Sequence, residues 1–135
     1  NGLYYYSNRE KLVRRIEPGV HGISNSLLDV PWPKTSSCLT KMSKQLENDR
    51  IEEQDLFSMM ADREQPSDED LPSTGVSLDF ERMLAPAFVL SPEYGTKSTT
   101  VLLVGQDNSV RFKERSFEPS SLTIRHEVDF SFKID

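Results

Sequence analysis

From Leu122 to Ile134, apolar and polar side chains alternate over thirteen residues, with His126 at one of the apolar positions. Leu122, Ile124, Val128, Phe130, Phe132 and Ile134 share one side with His126; Thr123, Arg125, Glu127, Asp129, Ser131 and Lys133 share the other. A period of two belongs to an extended chain, because successive side chains point to opposite faces. The segment is therefore expected to be a long antiparallel strand with one face buried. His126, on the apolar side, reads as a core histidine. Two further strands are expected just before it. Residues 99–104 form an apolar run that suits a central strand, and Gly105–Asn108 supply a turn. Residues 109–117 return as the hairpin partner, with Val110 and Phe112 on one face.

The first half adds helices. Leu3–Ser7 and Leu12–Ile16 read as a hairpin around the polar turn Asn8–Glu10, and Val20–Ser24 as a short buried strand. Pro33 suits the first position of a helix, where its missing N–H is not needed. Cys38, Leu39, Met42 and Leu46 then make one helical stripe, and residues 51–62 a second helix carrying Leu56, Phe57, Met59 and Met60. The methionines read as core filler. Residues 78–85 are expected as a short helix and 87–90 as a short strand. The fold class is α+β with antiparallel pairing.

Charge is uneven. The net charge is −6, yet residues 47–81 hold twelve acids and two bases, while the remainder holds ten acids and fourteen bases. Within that acidic stretch, residues 63–77 carry two prolines, a glycine and four acids, which predicts a disordered loop. It reads as a solvated face, with a docking surface for a basic partner as the alternative. Basic stripes with interleaved aromatics are lacking, which disfavours nucleic acid. No run approaches eighteen apolar residues, so no transmembrane helix is expected. The single cysteine, Cys38, forms no internal disulfide, and two widely spaced histidines with one cysteine give no zinc cluster. The opening Asn-Gly reads as the middle of a longer chain.

Two strings carry the functional signal. The first, GVHGISNSLLDVPWPK (Gly19–Lys34), combines close-packed glycines with short polar side chains and a Pro-Trp-Pro step. Gly22 permits a tight or left-handed backbone, Ser24 and Asn25 offer hydrogen bonds, and the prolines hold Trp32 in an extended segment. The string reads either as a strand-to-helix connection or as a pocket rim. The second, YGTKSTTVLL (Tyr94–Leu103), crowds Thr96, Lys97 and Ser98 beside Tyr94 and Gly95 at the start of a strand. One cation among hydroxyls suits an acyl, carboxylate or phosphate group; a solvated edge strand would look similar.

In this order and spacing the strings resemble the NRDE family, the transport-and-Golgi-organisation proteins. GVHGISNSLLDVPWPK is similar to the segment following that family's central strands, and YGTKSTTVLL with Val110–Phe117 to its closing hairpin. The Asn-Arg-Asp-Glu string that names the family, and the Cys before it, are absent; Asn8-Arg9-Glu10 only echoes them. The resemblance implies the carboxy-terminal part of one family domain over 1–135, with the amino-terminal half as the missing partner. It implies a partial αββα sandwich like that of amino-terminal-nucleophile hydrolases. It also implies haem trafficking by a cytoplasmic protein linked to the Golgi, mitochondria and lipid homeostasis. Haem would be cargo, with His21 as a weak ligand candidate, and an acyl-type molecule is the other small-molecule partner. The alternatives are an amidohydrolase, whose amino-terminal nucleophile Asn1 cannot supply, and a non-catalytic interaction module. The pocket candidates are His21, Gly22, Ser24, Asn25, Trp32, Tyr94, Gly95, Thr96, Lys97 and Ser98; no metal site or catalytic residue is assigned.

Overall fold

The computed structural model describes residues 2–48 and 51–135. Residue 1, on which the nucleophile argument falls, lies outside them. The elements run β1 (Leu3–Tyr6), β2 (Val13–Ile16), α1 (Pro33–Glu47), α2 (Glu53–Met60), α3 (Leu78–Leu84), β3 (Ser98–Val104), β4 (Ser109–Phe117) and β5 (Ile124–Lys133). They form two antiparallel sheets, β1-β2 and β3-β4-β5, so the fold is α+β with antiparallel pairing.

The larger sheet has two unlike faces. Val101, Lys113 and Asp129 lie side by side across it, as do Thr99, Arg115 and Glu127. This face meets α2. Leu56 and Phe57 form a buried cluster with Val101, and Met42, Met59 and Leu103 pack around it. The Arg115 guanidinium lies 3.9 Å over the Phe57 ring, and Glu53 of α2 pairs with Arg111 and Lys113. The sheet's charged side chains thus cover the helix's apolar ones with their stems and pair at their tips.

The opposite face carries Leu102, Phe112 and Phe130 in one row and Val104, Val110 and Phe132 in the next. Here the expected half-buried strand differs. Phe130 is 57% exposed and Phe132 54%, and His126 is exposed rather than a core histidine. Alternation identifies the residues that share a face, but a second layer must cover that face to bury it. Val110, on the central strand, is buried, but Leu102, Val104, Phe130 and Phe132 around it stay more than half exposed. The expected central strand, 99–104, is instead an edge; β4 is central because it alone pairs on both sides.

Two other expectations are corrected. Residues 20–24 are irregular rather than a strand, because their backbone bonds within the loop described below. Residues 87–90 form a bend closed by a single Leu90–Gly95 bridge. Leu46, on the α1 stripe, is exposed. The 63–77 segment contains a one-turn 3-10 helix at Asp68–Asp70 and has partners: Arg82 on α3 pairs with Asp68, and the buried Glu81 accepts from both donors of Thr74. Asp62 anchors its start, accepting from Lys41, from Ser37 and from the Glu64 N–H, while its carbonyl takes the Phe88 N–H at 2.8 Å.

Candidate functional site: the 19–34 loop and its groove

Pro31 and Pro33 hold Trp32 extended, and α1 starts at Pro33 with no side-chain cap and no acid in its first turn. Before it, the chain closes on itself. The Asp29 N–H donates to the Gly22 carbonyl at 2.7 Å, and the Gly22 N–H donates to Asp29 Oδ1 at 2.9 Å. Asp29 adopts φ 59°, the left-handed turn that the sequence assigned to a glycine. Gly22 serves a different need. A Cβ there would stand 2.6 Å from Thr35 Cγ2 and 3.3 Å from Leu39, so only glycine lets the loop lie against α1.

His21 locks the same loop. Its Nδ1 meets Asp29 Oδ2 at 2.7 Å and its Nε2 meets the Glu17 carbonyl at 3.0 Å. Both partners only accept, so the arrangement calls for an imidazolium donating from both nitrogens. In that state the ring has no lone pair for a metal. The bond to Asp29, then that to Glu17, holds the His21 pKa above its ordinary 6.5. The same bond, with the Gly22 N–H, holds the Asp29 carboxyl below 3.8.

The pH dependence follows. A raised histidine pKa contributes hold that is full below about pH 6.5 and fades as pH climbs through the folded value. A depressed carboxyl contributes hold that is full above about pH 3.8 and fades as pH falls through its folded value. The loop is therefore held most firmly between about pH 4 and 6.5. Amide exchange at Gly22 and Asp29, corrected for intrinsic rates, is expected to be slowest near pH 6 and faster at pH 8.5. A His21→Gln variant should flatten that profile. Equal protection at both pH values in the unmodified chain would remove the imidazolium from the lock.

The pocket candidates of the two strings divide among three concavities. A groove of about 510 Å³ runs between the loop at His21, Gly22 and Ser24, helices α1 and α2, and the β3 edge. The one cysteine and three of the four methionines line it: Cys38, Met42, Met59 and Met60. The methionines read as core filler thus divide: Met42 and Met59 pack on the core, and all three face this groove. A second hollow of about 310 Å³ brings Asn25 and Trp32 of the first string to Tyr94 of the second. Gly95, Thr96, Lys97 and Ser98 border a third, on the far side of Tyr94. Much of their hydrogen-bonding capacity is used locally. Thr96 bonds Val89 through both backbone N–H and Oγ1, and the Lys97 carbonyl accepts from Phe117. Gly95 again serves a close approach, since a Cβ would lie 3.0 Å from the Val89 carbonyl.

Lys34 is the residue that sequence reading missed. It lies at the junction, lining both the first groove and the second hollow. Its Nζ donates to the Leu84 carbonyl at 2.6 Å, and burial pushes its pKa below the usual lysine range. Among the described residues no carboxylate pairs with it. One signal was available: a lysine in the first turn sits at the positive end of its helix dipole, where a cation is disfavoured. One turn on, burial pushes the Cys38 thiol up, so it holds little reactive thiolate. The described residues contain no cluster of three metal-ligating side chains, and no helix long and apolar enough to cross a membrane.

A model of the family Transport and Golgi organisation 2 matches residues 1–119. The chain belongs to that family. It is 32% identical over 145 aligned residues to the Transport and Golgi organization protein 2 homolog of Bos taurus, covering 98% of this chain and 51% of that protein. The Homo sapiens homolog is 28% identical, with 90% of this chain and 47% of that protein covered. The Mus musculus homolog is 29% identical over 83% of this chain and 44% of its own length. The chain thus spans about half the length of the curated relatives it matches. NRDE is an alias of this family, so the resemblance read from the two strings holds.

Proposed function

We propose that the chain is a non-catalytic carrier module in transport and Golgi organisation, the words its relatives carry in their names, and that its cargo is an apolar small molecule, with haem first. The observation that carries this reading is the sulfur-rich groove under the 19–34 loop. Its size suits a small ligand, its walls are mostly apolar, and Met42 or Met59 offers a soft axial donor of the kind that haem iron accepts. His21 can join only when the loop opens and its ring loses a proton. The test is titration with haem at pH 6, followed at the Soret band. A saturable red shift is expected, and Met42→Leu combined with Met59→Leu should abolish most of it. Survival of the shift in that double variant, with loss in His21→Ala, would move the ligand to the histidine. No spectral change in the unmodified chain sinks the haem reading.

A second surface supports an interaction role. The apolar face of β3-β4-β5 has the character of the inner face of a two-sheet sandwich. We propose that in a longer chain it packs against a second sheet, giving the αββα layering that the family resemblance implies.

A further inference from the structure

We propose that Lys34 recognises a carboxylate at the end of an aliphatic cargo lying in the sulfur-rich groove. The proposal rests on the reading that this groove takes an apolar cargo, and not on that cargo being haem. An ammonium has three donors, and Lys34 spends one on the Leu84 carbonyl. The other two have no carboxylate partner among the described residues. A half-buried cation with free donors is held at a desolvation cost that an incoming anion offsets. Elsewhere the chain treats such cations differently: Lys41, two turns along α1, is paired with Asp62, and Lys113 with Asp129 and Glu53. The groove beside Lys34 explains why an aliphatic body suits the same ligand. Leu39, Met42, Leu56, Met59 and Met60 are flexible apolar side chains that conform to a bending chain. Charge complementarity at one end and adaptable walls along the length together specify a monocarboxylate with a hydrocarbon tail.

Dodecanoate and 1-dodecanol separate the two contributions, since they share a tail and differ in the head group. Binding is read from the fluorescence of Trp32, the one tryptophan of the chain, which lines the adjoining hollow beside Lys34. In the unmodified chain dodecanoate should bind at least about tenfold more tightly than dodecanol, the increment of a charge-assisted hydrogen bond. Lys34→Met should bring the ratio to about one, Lys34→Arg should preserve most of it, and Lys41→Met should leave it unchanged. A ratio near one in the unmodified chain overturns the proposal, and so does a ratio that survives Lys34→Met. Because Lys34 also ties α1 to α3, the methionine variant could lose its fold. Isotope-edited NMR on the unmodified chain covers that case: contacts from the dodecanoate C2 methylene must reach the Lys34 ε-methylene, and contacts confined to another lysine refute the assignment. Failure of haem to bind while dodecanoate meets these criteria removes haem alone. Failure of acid and alcohol alike overturns both the carboxylate assignment and the apolar-cargo reading.

Discussion

Phe88→Ala is expected to remove a large share of the chain's stability. Phe88 is 1% exposed, and its ring meets Phe117 edge-on, with centroids 4.8 Å apart. Its N–H is fixed by the Asp62 carbonyl, so the backbone cannot easily follow a shrinking side chain. Truncating a buried phenylalanine to alanine costs about 3–5 kcal/mol through lost transfer energy and the residual cavity. The described residues include only eight buried hydrophobic side chains, so there is little else to absorb the loss. Small domains hold only about 5–15 kcal/mol in all. Urea denaturation followed by circular dichroism should show the midpoint collapsing, with Phe88→Leu intermediate. A loss under about 1 kcal/mol would mean that the 86–90 bend is not part of the core.

The second large effect concerns association. With Leu102, Val104, Phe130 and Phe132 exposed on one sheet face, the isolated chain should bind an apolar dye and self-associate at micromolar concentration. Replacing Phe130 and Phe132 together by glutamate should remove the dye signal and restore a monomer, with helix and strand content unchanged. Sedimentation and dye fluorescence read both outcomes. A compact, dye-negative monomer of the unmodified chain, with sharp cooperative unfolding, would exclude an uncovered sandwich face and the proposed second sheet with it.

Local order was legible where local chemistry decides it. Pro33 marked the start of α1, alternation marked β5, and the Gly105–Asn108 turn marked the β3–β4 hairpin. What sequence could not reveal depends on other layers. The 122–134 pattern separates two faces equally well whether or not one is covered, so the burial of Phe130 and His126 was misread. A glycine is used either for a positive φ or for closeness, and the string alone does not distinguish them at Gly22. The left-handed residue of that loop is Asp29. Both strings are rich in small polar residues, and residue types alone do not say which of them meet. Of the pocket candidates, folding brings Asn25, Trp32 and Tyr94 to one hollow, sets His21, Gly22 and Ser24 on another groove, and ties Thr96 into its own bend. Lys34 closed the first string unnoticed, since a lysine is ordinary until its partners are known.

The ion pairs of the β4–β5 ladder have a consequence for which alignment the sheet adopts. Sliding β5 by one residue would exchange its two faces, an error that hydrophobicity excludes. Sliding it by two keeps every side chain on its own face, and the apolar rows would tolerate that. Charge does not. In the native alignment Lys113 faces Asp129 at 2.9 Å, Arg115 faces Glu127 at 2.7 Å, and Arg111 faces the neutral Ser131. A two-residue slide one way sets Arg115 opposite Arg125, and the other way sets Arg111 opposite Lys133. Each slide adds one like-charged pair that the native alignment lacks, which destabilises it, even though the first still sets Lys113 opposite Glu127 and Arg111 opposite Asp129. The polar face of the last strand thus acts as a vernier scale, distinguishing alignments that the apolar face cannot.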